Sequence, residues 1–170
     1  MKDRGKIFEK LFKDEVEREI REENLEATID RLYDVIGKKT IDQPSDFICY
    51  KYPNQIYVEC KSRNSNSFSY YTAPQYERLI NKSKISGVKC GMLVWFVQQK
   101  MIFWLDIDWL QFYFSRTGIK SVNAYKLDEF VKEHNYGVHK INCDFLRVNP
   151  VLRNLGDMFE FIVKGENNGK

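Results

Sequence analysis

Apolar residues at Ile7, Phe8, Leu11, Phe12, Val16 and Ile20 recur close to every 3.6 residues, which predicts an amphipathic helix over residues 3–22. Asp3 is placed to cap its start. Glu15, Glu17, Glu19, Glu22 and Glu23, with Lys13, Arg18 and Arg21, read as the solvated face of that helix. Glu9 interrupts the edge of the apolar stripe and is positioned to point toward whatever the helix packs on. Residues 24–36 fit either a restarted helix, carried by Leu25, Ile29, Leu32, Val35 and Ile36, or an early strand around 31–34.

The period then changes to two. Residues 47–52 and 55–61 read as short strands joined by a turn at Pro53-Asn54. In the second strand, alternation places Ile56, Val58 and Cys60 on one face and Tyr57, Glu59 and Lys61 on the other. Residues 63–69 are polar and predict a mobile loop. Pro74 suits the first turn of a helix over 74–84, with Tyr76, Leu79 and Ile80 as its apolar face. The near-continuous apolar run 90–97 predicts a central strand buried on both faces, followed by a strand at 101–107. Further helices are expected from Asp108, as a cap, to Phe114, and over 126–134 with Asp128 and Glu129 in the first turn. An edge strand at 138–145 and a last helix at 152–163 complete the pattern. Neither repeats nor a linker divide the chain, so residues 1–165 read as one domain and 166–170 as a disordered tail.

Composition narrows the class. Among 170 residues, 43% are hydrophobic and 30% charged, as in a folded globular chain of ordinary solubility. The net charge of +3 establishes no nucleic-acid partner unless the cations are gathered in a patch. Cys49, Cys60, Cys90 and Cys143 show no C-x-x-C spacing. The first three lie in strand-like apolar runs, so reduced buried thiols are expected rather than zinc ligands or disulfides. Two histidines exclude a multi-histidine metal centre. No apolar run nears the roughly 20 residues of a membrane span, and the charged start shows no signal peptide. A cytoplasmic location, in a bacterial or phage-infected cell, is the expectation.

The candidate chemistry lies in the hairpin. Paired as a hairpin, the strands carry Asp46 close to Glu59, with Lys61 beside it. Two carboxylates and an ammonium on a rigid element make a site for a hard cation, with a group to orient or activate water. Such a Glu-x-Lys strand is more often an ordinary solvated ion pair, and Glu9 alone is more often a surface carboxylate. Gln75 is equally suited to the helix terminus. Trp95, Trp104 and Trp109 read as core. Arg31, Lys38 and Lys39, just ahead of Asp46, are candidate DNA contacts, with Arg63, Lys82 and Lys84 as further candidates.

Taken in order, Gly5-Lys6-Ile7-Phe8-Glu9, Pro44-Ser45-Asp46-Phe47, Val58-Glu59-Cys60-Lys61-Ser62 and Pro74-Gln75-Tyr76 resemble the PD-(D/E)xK nuclease superfamily. Within it the chain is most similar to the RecU-type Holliday junction resolvases, including phage versions, over residues 4–110. The resemblance implies an α/β restriction-endonuclease-like fold: a mixed central β-sheet flanked by helices. It implies that Asp46 and Glu59 bind Mg²⁺, which Mn²⁺ may replace. Lys61 would orient the attacking water or stabilise phosphate charge, and Gln75 and Glu9 would complete the site. It implies cleavage of branched DNA, such as a four-way junction, by a homodimer. The segment ahead of Asp46, residues 36–45, is shorter than the junction-entering stalk of those enzymes. A restriction-type enzyme of the same fold and a non-catalytic DNA-binding module are the alternatives.

Overall fold

A computed structural model describes residues 3–33 and 43–165 of the chain. Helix α1 (Arg4–Glu22) is capped by Asp3, whose carboxylate accepts from the Gly5 amide at 3.0 Å. Its apolar stripe buries Phe8, Phe12 and Val16 completely. There follow β1 (Thr28–Arg31), β2 (Phe47–Lys51), β3 (Asn54–Arg63), β4 (Ser67–Phe68), α2 (Gln75–Ser83), β5 (Val88–Phe96) and β6 (Met101–Asp106). The rest comprises α3 (Ile107–Thr117), β7 (Val122–Asn123), α4 (Ala124–Glu133), β8 (Val138–Lys140), β9 (Cys143–Leu146), β10 (Asn149–Leu152) and α5 (Leu155–Lys164).

Six strands form one mixed sheet in the order β1-β2-β3-β5-β6-β8. Only β3 and β5 run parallel, and α2 supplies the crossover that a parallel pair requires. Alternation sorts the strands into two cores. Ile56, Val58 and Cys60 join Leu93, Trp95 and Trp104 beneath α1 and α5. Tyr57, Met92, Val94 and Leu105 face Tyr76 and Leu79 of α2, Leu110 of α3 and Leu127 of α4. The protein is thus an α/β fold whose central mixed sheet is flanked by helices, and β5 is buried on both faces as its unbroken apolar run predicts. Gly91 is required there, since a Cβ would lie 2.2 Å from the Trp104 ring.

Several boundaries differ from the sequence pattern. Within the ambiguous stretch 24–36, Thr28–Arg31 forms β1, three residues ahead of the strand expected at 31–34, and residues 34–36 lie outside the described residues. The expected mobile loop at 63–69 contains β4, which pairs with β7 because Phe68 is a fully buried anchor among serines. Helix α3 starts one residue before Asp108: the cap is Asp106, which accepts from the Asp108 and Trp109 amides. Likewise α4 starts at Ala124, two residues before the expected start, with Asn123 as its cap. The edge strand ends at Lys140, and Cys143–Leu146 pairs instead with Asn149–Leu152. Leu152 belongs to that ribbon, so α5 begins only at Leu155, after Asn154 turns through φ +54°.

Glu19 is the largest correction. It is not on a solvated face but 2% exposed, and its two carboxylate oxygens accept from the Leu155 and Gly156 amides at 2.7 and 2.8 Å. Asn154 makes no side-chain cap, so a carboxylate from α1 caps α5 across 136 residues of sequence. The cysteines are free thiols, with Cys49, Cys60 and Cys90 buried, and the three tryptophans are core residues. Among the described residues no helix is long and apolar enough to cross a membrane.

Candidate active site

The site is built by the register of β2 against β3. Phe47 lies opposite Val58, which carries Asp46 to the position opposite Glu59, on the face that looks toward α2. The turn between the strands falls at Tyr52-Pro53, one residue earlier than the pattern predicts, with Asn54 already opposite Lys51. Two reciprocal hydrogen bonds fix the acids. Asp46 Oδ2 accepts from the Cys60 amide at 2.8 Å, and the Glu59 carboxylate accepts from the Asp46 amide. Lys61, two residues on and on the same face, places its Nζ 2.5 Å from Glu59 Oε1. Glu59 is almost wholly buried, whereas the Lys61 side chain keeps 22% of its surface in solvent.

Burial, and then the neighbouring charge of Asp46, push the Glu59 carboxyl up to about 7; Lys61 pulls it the other way. Glu9 reaches the same field from α1. Burial raises its carboxyl and the charge of Asp46 adds to this, opposed by Arg31. Arg31 forms an ion pair with Glu9, and its guanidinium lies 5.6 Å from the Tyr33 ring and 5.9 Å from the Phe47 ring. Its charge is therefore directed at Glu9 on the rim of the acidic pair, while 30% of the side chain stays in solvent.

The remaining candidates are more dispersed. Gln75 opens α2, and its Oε1 is buried with no hydrogen-bond partner among the described residues. Lys82 sits over the Tyr57 ring at 5.5 Å, and Arg63 over the Phe68 ring at 5.2 Å. Lys84 donates to Asn81 at 3.2 Å. Lys38 and Lys39 lie outside the described residues. Two supports escaped the sequence pattern. Ser45 is buried and its hydroxyl donates to the Phe47 carbonyl at 2.8 Å. Arg78 of α2 donates to the Gln43 carbonyl at 3.1 Å and so ties the crossover helix to the segment that delivers Asp46. Ser45 was legible as a turn residue next to Pro44; nothing local marks Arg78.

Among the described residues no group of three or more His, Cys, Asp or Glu side chains converges as a metal cage. The three or four nitrogen, sulfur or carboxylate donors of a zinc centre do not gather among the described residues. Mg²⁺ takes one or two carboxylates and fills its remaining positions with water and substrate oxygens, which the Asp46–Glu59 pair fits. Burial first, and then the charge of Asp46, raise the Glu59 carboxyl, and a cation held between the two acids would offset both.

Fold and site together define an α/β protein with an acid–acid–lysine hairpin in a mixed sheet. No protein-family model matches the chain, and no curated protein sequence matches it. Among solved structures it is similar to Hjc, a Holliday junction resolvase of the archaeal hyperthermophile Archaeoglobus fulgidus. The likeness has a TM-score of 0.44 at 14% identity, over 63% of this chain and 80% of that one.

Proposed function

We propose that this chain is a Mg²⁺-dependent endonuclease of the PD-(D/E)xK type that hydrolyses phosphodiesters in branched DNA, four-way junctions above all. The observation that carries the reading is the placement of Asp46 opposite Glu59 with Lys61 on the same face. Asp46 and Glu59 would hold the cation, which when bound would supply charge neutralisation at the phosphate and a lowered pKa for a water, so that hydroxide is available as nucleophile. Mn²⁺ serves in its place. Asp46 is presented by the Cys60 amide, so its carboxylate is oriented before substrate arrives. Lys61 offsets part of the penalty that burial puts on the Glu59 carboxylate and, being partly exposed, donates to a phosphate oxygen or orients the water. Arg31 holds Glu9 at the rim. Gln75 brings an amide oxygen to the N-terminus of α2 to complete the site. Lys38, Lys39, Arg63, Lys82 and Lys84 contribute phosphate contacts. Symmetric resolution of a junction takes two cuts, and one chain carries one such hairpin, so a homodimer acts.

The test is a cleavage assay on a synthetic four-way junction, a matching linear duplex and a nicked-plasmid substrate, with Mg²⁺ and with EDTA. Metal-dependent cutting favouring the junction is expected. Equal cutting of the linear duplex would favour a restriction-type enzyme, and binding without cutting in Mg²⁺ or Mn²⁺ would reduce the chain to a DNA-binding module.

A further inference from the structure

Among the described residues the β9–β10 ribbon pairs only with itself. Its base is anchored: Leu152 is buried, Cys143 and Phe145 pack on the core beneath α1 and α5, and Arg153 Nε lies 2.8 Å from the Asp144 carboxylate. Its tip is the reverse. Leu146 is 71% and Val148 65% exposed, the most exposed large aliphatic side chains among the described residues. Arg147 lies between them in a two-residue turn, since Leu146 pairs with Asn149, and it adopts φ +62° where glycine or asparagine is usual. Every other arginine has a hydrogen-bond, ion-pair or ring partner. Arg147 has none among the described residues, and residues 145–152 contain no carboxylate.

We propose that this tip is a wedge for branched DNA, a role that rests on the reading of the chain as a DNA-binding protein. Leu146 and Val148 insert beside unstacked bases at the branch point while Arg147 takes the adjacent phosphate. A two-stranded ribbon is narrow enough to enter a DNA groove. Aliphatic wedges between base steps cost unstacking energy, least where stacking is already interrupted, as at a branch. An unpaired guanidinium between two aliphatics is a poor fit to an apolar protein pocket, because burying it without a counter-charge is costly. A phosphate meets both needs, accepting two parallel hydrogen bonds beside an apolar base face.

The experiment uses the full chain and a four-way junction carrying 2-aminopurine next to the branch, in EDTA so that cutting does not enter the signal. Binding is expected to raise the fluorescence severalfold, and to do so less on a linear duplex. The L146S/V148S double variant should lose most of that rise while its junction affinity stays within about threefold, because backbone phosphates supply most affinity. R147Q should weaken junction binding and lower the salt slope by about 0.9, the value for one phosphate contact. All three positions are exposed, so melting temperatures should match the parent. An unchanged rise in L146S/V148S, or an equal rise on linear duplex, overturns the wedge. So does light scattering in which that variant turns a dimer into a monomer, since the tip is then a protein contact. Metal-dependent cutting without any rise rejects the wedge and keeps the nuclease; a rise without cutting rejects the nuclease and keeps the wedge.

Discussion

Glu19 and Glu59 are equally buried, each 2% exposed, and burial raises the carboxyl of both. Their surroundings then diverge. Glu19 meets two backbone amides at the start of α5, which pull its carboxyl back down, and the more distant charges of Glu15 and Glu23 oppose them less. Glu59 meets one amide, one lysine and a second acid opposite it. In the first case the chain's own donors answer the buried charge, and the result is a joint between two helices. In the second a neighbouring acid adds to burial in raising the carboxyl, and under the proposed function a bound cation would offset that charge.

The largest expected effect separates the two on chemistry. Asp46→Asn should lower metal-dependent cleavage by about a thousandfold or more, roughly 4 kcal/mol of barrier, while junction affinity, set by phosphate contacts, stays within about threefold. Glu19→Gln should cleave normally per folded molecule. Wild-type turnover by Asp46→Asn would remove the distinction.

Stability should show the opposite ranking. Glu19→Ala leaves the Leu155 and Gly156 amides buried without acceptors and should cost about 3 kcal/mol in chemical denaturation. Asp46→Asn relieves repulsion and should be neutral or slightly stabilising without metal. A Glu19→Ala protein as stable as the parent would mean that water replaces the carboxylate at α5.

The contrast also explains what was legible in the sequence. Asp46, Glu59 and Lys61 lie within 16 residues, in a hairpin whose alternation and register are local properties, so their shared face could be read directly. So could the doubly buried β5. Glu19 could not, because its partners lie 136 residues on and its own neighbours are charged. Arg31 was legible as a cation near the site, but its direction toward Glu9 depends on how α1 crosses the sheet. The caps Asp106 and Asn123 were missed for a smaller reason: each sits at the end of a strand, where strand and helix patterns overlap by one or two residues.

A third effect sharpens the role assigned to the acid pair without relying on activity. A cation that binds only the folded chain stabilises it by about 2.7 kcal/mol when present at about a hundred times its dissociation constant. Mg²⁺ should therefore raise the melting temperature of the parent and of Glu19→Gln, and fail to raise that of Asp46→Asn. Equal shifts in all three would place the ion elsewhere on the molecule.

The smallest effect is the pH dependence of stability, and its sign follows from Glu59. Its folded carboxyl titrates near 7, above the ordinary value of 4.5. Between those pH values the folded state holds a proton that the unfolded state has released, so stability falls as pH rises through this window. The full separation corresponds to about 3 kcal/mol, which bounds the effect expected from Glu59→Gln. Glu9, Glu19 and Asp106 are also raised and contribute slopes of the same sign, so the quantity to measure is parent minus variant. Without metal, Glu59→Gln should flatten the decline between pH 4.5 and 7 and leave the variant the more stable protein at pH 8. Repeating the series with saturating Mg²⁺ should shrink the difference, because the bound ion favours the ionised pair. An equally steep decline in Glu59→Gln would mean that the hairpin already neutralises its own charge, leaving Glu59 a structural acid like Glu19.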